Sequence, residues 1–527
     1  MRTAFGSAIR FRSANRFRSA NAVAVLWFAL SGLAAVAQTA AALLVAQSAP
    51  SQPAINLLGA AEQARVDAIV NDALAATSVP SVSLAVVRGG KVVYAQAYGA
   101  GRYRQGPRSM IAYPAGSGLH APPPVMIAVP ARTTMRYGAG SITKQFTATA
   151  ILMLQQQGKL SVDDPVGKYL PGLTRANEVT LRELLSHTSG YQDYYAQDYT
   201  LLPMQKPTTA QAIIDGWAKK PLDFDPGTQW QYSNTGYVLL GQIVEKVSGQ
   251  PFFDYLRQHI FTPLGMGSVG DLDTHDLGAN DAEGYMRYAL GPPRPAVPDG
   301  SNWMYAAGDL CLTAQDLARW DIGFMDQALL PPASYAEMTT EVKLKGGAGT
   351  HYGFGVDVLS TAGADGKQHR LIEHSGEVSG FRSENMVFPE DKVAVAVLTN
   401  AEYSSASREV ANGISAVLGL GPGTSSASKT TDEVREILKG LTAGTIDRSL
   451  FTANANGYFD ELGLQDFKNS LSPLGPVVSI TQRGPDRLRG GMTYRGYALN
   501  YAGKQLSIST YWMADGKLEQ YLVETVE

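Results

Sequence analysis

Ser81-Val82-Ser83-Leu84-Ala85-Val86-Val87-Arg88, followed by Gly89-Gly90 and Lys91-Val92-Val93-Tyr94, is the stretch that decides the fold. Two β-rich runs separated by two glycines predict an antiparallel hairpin, because glycine accepts the positive φ of a primed turn. Just upstream, residues 60–76 carry Val66, Ile69, Val70 and Leu74 at the spacing of one helix face, which predicts an amphipathic helix. The matching strands lie far downstream. Residues 369–374, Phe381–Phe388 and Val393–Thr399 read as three strands, the last two joined through Pro389-Glu390-Asp391, and 405–418 reads as a helix. Between these ends the patterns are mostly helical. Residues 141–157 are rich in Ala, Leu, Ile and Met before Gly158, and 236–247 are apolar before Ser248-Gly249-Gln250-Pro251. The predicted class is α/β: an antiparallel sheet built from both ends of one segment, flanked by helices, with an inserted, mostly helical subdomain. The Gly/Pro-rich stretch 102–130 reads as a surface insertion beside the site.

Residues 421–430 are poor in bulky apolar side chains and read as a linker. A small α+β domain, 431–527, is expected after it, with helices at 431–441 and 458–471 and strands near 477–482, 490–501, 505–513 and 517–523. Two helices before a curved antiparallel sheet resemble the cone of nuclear-transport-factor-2-like domains. No pair of nucleophile and base stands out there, so packing or binding is its expected role.

The chain has 527 residues, 45% hydrophobic and 17% charged, with net charge −3. That length leaves room for more than one domain, and so apolar a composition argues against disorder. A pI of about 6.2 argues against a nucleic-acid or polybasic membrane binder. Cys311 is the only cysteine, so an internal disulfide and a cysteine metal cluster are ruled out. No cofactor is implied.

Arg2, Arg10, Arg12, Arg16 and Arg18 precede an apolar run from about Ala22, and no acidic residue occurs before Glu62. A charged n-region, an apolar h-region and Ala35-Val36-Ala37 as a cleavage site make residues 1–37 a bacterial export signal, with 38–59 as linker and 60–420 as the main domain. Periplasmic or secreted localisation follows. The alternative is inner-membrane anchoring by an uncleaved segment, since apolar residues resume after Gln38-Thr39.

Gly140-Ser141-Ile142-Thr143-Lys144 carries Ser-x-x-Lys at the start of an apolar helix. A spacing of three is nearly one turn, so the lysine can stand beside the serine hydroxyl. It can accept the proton if burial or nearby charge lowers its pKa. Alone the motif is weak, since Ser426-Ala427-Ser428-Lys429 matches it in the linker. Tyr232-Ser233-Asn234, before a helix, adds a tyrosine able to pass protons and an amide able to hold a carbonyl. Glu373-His374-Ser375-Gly376 ends a strand candidate. There His374 can donate to a substrate carboxylate or a tyrosine oxygen, and Gly376 lets backbone approach backbone.

In this order and on these elements the three motifs resemble the serine β-lactamase-related family of class C β-lactamases, D-alanyl-D-alanine carboxypeptidases and related esterases. Leu184-Leu185-Ser186-His187-Thr188-Ser189-Gly190, Pro263-Leu264-Gly265-Met266 and Ala306-Ala307-Gly308-Asp309-Leu310 agree with it. The resemblance implies a β-lactamase/transpeptidase-like fold. It makes Ser141 the acylated nucleophile, Lys144 its proton acceptor and Tyr232 the shuttle to the leaving group. Asn234, His374 and Gly376 would contact substrate, and the backbone N–H groups of Ser141 and Glu377 would form the oxyanion hole. His374 stands where the lactamases have lysine, so the pull on a β-lactam carboxylate is expected to be weak and pH-dependent. Glu377 beside Glu373 would disfavour anionic substrates if both faced the cleft.

His187 is expected to tie down a loop, Cys311 and Tyr137 to lie in the core, and Tyr191, Tyr194 and Tyr195 to line the cleft or pack. His-Glu-x-x-His and Gly-x-Ser-x-Gly are absent, which argues against a zinc hydrolase and an α/β-hydrolase elbow. The expected function is an exported serine hydrolase acting through an acyl-enzyme on an amide or ester of a small molecule or peptide, carboxypeptidase-like or esterase-like. The alternatives are a slow penicillin-recognising scaffold acting through a partner, and a C-terminal module that binds a small ligand and regulates the hydrolase. Oligomeric state is open at this level.

Overall fold

The computed structural model describes residues 55–105, 126–274, 277–421, 432–490, 492–513 and 516–526. The expected export signal and nearly all of the expected 421–430 linker lie outside the described residues, as does 106–125 of the expected insertion. All described residues belong to one packed unit.

Helix α1 (Ala60–Thr77) leads into β1 (Ser81–Arg88) and β2 (Lys91–Gln105). Gly89 and Gly90 turn the hairpin at φ 60° and 73°, the pair of positive values a type I′ turn requires. Helices α2 (Thr143–Gln156), α3 (Asn234–Ser248) and α4 (Ala314–Met325) follow. The chain then returns to the sheet through β3 (Asp357–Ala362), β4 (Gln368–Val378), β5 (Phe381–Phe388) and β6 (Val393–Thr399) and closes with α5 (Ala406–Val417). The sheet has eight strands; its main path runs Ile55–Asn56, β2, β1, β6, β5, β4, β3, and Met126–Pro130 also pairs with β2. The two ends of the segment meet where Val86 faces Val395 and Ala85 faces Ala396 across antiparallel β1 and β6.

Side chains alternate across this seam. Val82, Leu84, Val86, Val395 and Val397 pack against Val66, Val70, Val410 and Ile414 of α1 and α5. Ala85, Val87, Ala394, Ala396 and Leu398 belong to the core shared with α2, α3 and α4. Covered on both faces, β6 is buried along its whole length and apolar from Val393 to Leu398 rather than alternating. Helix α2 is buried from Thr143 to Leu154, and its buried polar side chains Lys144, Gln145, Thr147 and Thr149 are hydrogen-bonded, as buried polar groups must be.

Two boundaries differ from expectation. Ser141 lies in a 3₁₀ turn, Gly140–Ile142, ahead of α2 rather than in its first α-turn. The strand bearing His374 continues to Val378 instead of ending at the His-Ser-Gly motif, because Gly376 stays in register with Ser383 and the reversal falls at Ser379-Gly380.

Beyond the main sheet come α6 (Asp432–Ala443), a short helix Ala453–Tyr458 and α7 (Glu461–Leu471). They cover a second antiparallel sheet, β7 (Val477–Arg489), β8 (Met492–Tyr501), β9 (Lys504–Trp512) and β10 (Leu518–Thr525), paired in chain order. Val434, Leu438, Phe459 and Phe467 pack with Leu499, Ile508 and Val523 in a second core, which Ala289 of the main domain joins. The β7–β8 register shifts between Arg483 and Arg487. Such a bulge bends and twists the strand that carries it, and the end of β7 reaches the pocket described next.

Candidate active site

All three motifs converge. In a 3₁₀ turn residue i+3 stands over residue i, and Lys144 Nζ lies 3.0 Å from Ser141 Oγ. Nζ also donates to Asn234 Oδ1 and to the Ala307 carbonyl, both at 2.7 Å. In the uncharged amine these two acceptors would take both N–H bonds and leave the lone pair for Ser141; in the charged form Nζ donates to Ser141 Oγ as well. Burial pulls the Lys144 pKa well below 10.5, Asp193 opposes that shift, and Arg489 adds to it.

Tyr232, just before α3, places its ring centroid 4.8 Å from Lys144 Nζ. Its buried hydroxyl makes no hydrogen bond of ordinary length among the described residues. Burial raises its pKa, while nearby Ser141 favours the ionised form.

The Tyr232 segment is tied to the His-Ser-Gly strand through two histidines. The Ser233 N–H donates to His187 Nδ1 at 3.1 Å, so the neutral His187 ring carries its proton on Nε2 and points it at Tyr352 Oη, 3.3 Å away. Tyr352 in turn donates to His374 Nε2 at 2.8 Å, and His374 Nδ1–H donates to the Ser375 carbonyl at 2.5 Å. A backbone N–H at one end and a carbonyl at the other set both tautomers. His187 therefore ties down the Tyr232 loop, as expected. The expectation for His374 needs correction: it accepts from a tyrosine, Tyr352, rather than donating to one. Its pKa falls to about 3 through burial, then the Lys144 charge, so it is neutral across the physiological range and does not supply the expected pH-dependent pull.

Gly376 and Gly140 let β4 press against the nucleophile turn. A Cβ on Gly376 would lie 1.9 Å from the Ala139 carbonyl oxygen, and one on Gly140, at φ 54°, would lie 2.5 Å from the Glu377 backbone nitrogen. Glu377 is thereby held beside the residue preceding Ser141.

Ser141, Tyr232, Asn234, His374 and Glu377 line a pocket of about 430 Å³. Glu377 faces it and pairs with Arg382, whereas Glu373 is buried away from it against Arg408. Tyr195 lines the pocket, while Tyr191, Tyr194 and Tyr137 are core. Cys311 is buried, with its thiol pushed up to about 12. Among the described residues Asp271, Asp273 and Asp309 bring carboxylate oxygens within 4.8 Å of one another. None of these three lines the pocket.

The sequence reading missed three residues. Asp193 Oδ1 accepts from Asn234 N at 2.9 Å and Nδ2 at 3.1 Å. Tyr352 joins the two histidines. Arg489 of β7 reaches the site from the second sheet, with Nε 3.0 Å from Asp193 Oδ2. None of them carries a motif, and the Arg489–Asp193 pair is 296 positions apart in sequence.

A Ser-x-x-Lys turn wedged between an antiparallel sheet and a buried helix, faced by a Tyr-Ser-Asn loop, defines the serine β-lactamase-related class of folds. The chain belongs to the Beta-lactamase family, whose model matches residues 66–419. It is 30% identical over 275 residues to the putative penicillin-binding protein PbpX of Bacillus subtilis (strain 168), covering 52% of this chain and 64% of that one. Its structure is similar to D-amino acid amidase from Ochrobactrum anthropi SV3, at 25% identity and TM-score 0.55 over 68% of this chain and 98% of that one. It shares the fold of the octameric penicillin-binding protein homologue from Pyrococcus abyssi, at 23% identity and TM-score 0.56, covering 88% of this chain and 99% of that one. The chain spans less than two thirds of the length of the curated relatives it matches.

Proposed function

We propose that the protein is an exported serine hydrolase acting through an acyl-enzyme on an amide or ester bond, carboxypeptidase-like or esterase-like, with little or no β-lactam turnover. The observation that carries this reading is the buried Lys144 Nζ, 3.0 Å from Ser141 Oγ and held there by Asn234 Oδ1 and the Ala307 carbonyl. Ser141 Oγ attacks the carbonyl carbon as its proton passes to Lys144. The oxyanion is held by the backbone N–H groups of Ser141 and Glu377, where one donor contributes about 2.7–4 kcal/mol. Collapse expels the amine or alcohol, protonated through Tyr232, and leaves an ester on Ser141. Water attacks that ester, gives its proton back through the same groups, and releases the acid. Asn234, expected to contact substrate, instead has both amide hydrogens on Asp193 and the Tyr195 carbonyl and its oxygen on Lys144, so it holds the base; His374 and Gly376 shape the β4 wall.

A neutral His374 offers no positive charge to a β-lactam carboxylate, which supports the weak β-lactam expectation. The D-amino acid amidase likeness supports an amide substrate. Export rests on the amino-terminal signal. Among the described residues no helix is long and apolar enough to cross a membrane.

The test incubates the protein in parallel with a p-nitrophenyl ester, a D-amino acid amide and a fluorescent penicillin, with Ser141→Ala as control. Turnover of ester or amide that is abolished in Ser141→Ala, with little penicillin adduct, is expected. Undiminished turnover in Ser141→Ala would overturn the reading, and a long-lived penicillin adduct without turnover would favour a penicillin-recognising scaffold.

A further inference from the structure

We propose that Arg489, carried by the C-terminal sheet, is a positioning residue of the active site: it neutralises Asp193 and thereby keeps Asn234 and the Lys144 amine in working order. This rests on the reading of Ser141 and Lys144 as nucleophile and base.

The Asp193 side chain is fully buried. Its Oδ1 receives the Asn234 N–H and amide, and Oδ2 receives Arg489 Nε at 3.0 Å. Asn234 Nδ2 also donates to the Tyr195 carbonyl at 3.0 Å. With Nδ2 engaged on that side, Oδ1 must face Lys144, where it accepts from Nζ at 2.7 Å. Arg489 thus stands at the end of a relay through Asp193 and Asn234 to the base. Nη2 donates to the Tyr195 carbonyl at 3.2 Å and Nη1 to Tyr511 Oη at 3.1 Å, Asp198 Oδ1 lies 4.0 Å from Nη1, and the guanidinium lies 5.1 Å from the Tyr232 ring centroid.

The second sheet is built onto this loop at further points. Tyr199 donates to the Glu519 carbonyl at 2.7 Å, and the Asp198 N–H donates to Gln520 Oε1 at 2.7 Å. Gly490 sits so close that a Cβ there would meet the Asp193 carbonyl oxygen at 2.9 Å. Without Arg489, Asp193 would be a buried anion that still acts on Lys144. It would hold a proton on that amine and disable the base. The other groups facing Lys144 are Ser141, Asn234, Tyr232, Tyr237, His187 and His374. None of them is a second cation at Asp193.

The experiment measures kcat/KM against pH on a p-nitrophenyl ester for the full chain, Arg489→Gln, Arg489→Lys, Asp193→Asn/Arg489→Gln and Ser141→Ala. Arg489→Gln is expected to move the acidic limb to higher pH by more than one unit, a loss of more than tenfold at pH values below the parental limb. Removing the stranded carboxylate in the double variant should bring the limb back, and Arg489→Lys should retain it. An unmoved limb in Arg489→Gln, whatever its Tm, overturns the proposal. If that variant does not fold, a Lys variant with the parental limb supports it and one with a depressed plateau at unchanged limb overturns it. Loss of all turnover in Ser141→Ala together with an unmoved Arg489→Gln limb sinks this inference alone, whereas undiminished turnover in Ser141→Ala sinks the underlying reading.

Discussion

Tyr352 Oη lies 2.8 Å from His374 Nε2 and is the donor in that contact, because the other histidine nitrogen is committed to the Ser375 carbonyl. A buried imidazole nitrogen that loses its only donor costs about 1–3 kcal/mol. Tyr352→Phe is therefore expected to lower unfolding free energy by that order. It should also lower kcat/KM, since the link between the Tyr232 loop and β4 is cut. Urea unfolding and ester kinetics on the same preparation test both, and a variant with parental stability would contradict the donor assignment.

His374 is held at about 3 and His187 well below 6.5, in both cases by burial and then by Lys144. An unfolded imidazole takes up its proton near 6.5, so the unfolded state binds more protons than the folded state below that pH. The contribution of the two histidines to stability falls as pH drops below 6.5, by up to about 1.4 kcal/mol per pH unit for each; carboxyls raised by burial, such as Glu377 and Asp321, work in the opposite sense, so the histidine share is read as the difference between parent and variant. His374→Gln should show a shallower loss between pH 6.5 and 4. Parallel slopes in parent and variant would remove His374 as a source.

The acidic limb of kcat/KM should report Lys144 rather than a histidine. Lys144→Met is expected to lose about 10²- to 10⁴-fold in rate, the usual range for a general base. The limb should survive in His374→Gln, and its disappearance there would reassign the titrating group.

Gly376→Ala places a methyl 1.9 Å from the Ala139 carbonyl oxygen and 2.3 Å from Ser383 Oγ. Backbone has to move, at an overpacking cost of about 1–3 kcal/mol, and the Glu377 N–H moves with it, so kcat should fall roughly 10²-fold or more. Gly216→Ala, where a Cβ meets nothing within 4 Å, is the control for both Tm and kcat. Equal kcat in the two variants would count against the tight β4 approach.

Much of the frame was legible because its signals are local. The Gly89-Gly90 hairpin, the apolar runs Phe381–Phe388 and Val393–Thr399 and the helix around 405–418 depend on periodicity and turn chemistry, and they fall within a residue or two of expectation. The strand through His374 ran longer than expected because its continuation is decided by the Gly376–Ser383 pairing with β5. No local pattern records that pairing.

The sequence by itself determined the α/β class and the Ser141–Lys144 pair, since residues three apart meet within a single turn of backbone. It also set the order of motifs along the chain. Only the tertiary structure decided that His374 is neutral and accepts a hydrogen bond, that Glu377 faces the pocket while Glu373 does not, and that Arg489 of a second sheet neutralises Asp193. Protonation state and charge pairing depend on burial and on partners brought together across 296 positions of chain, and those are properties of packing.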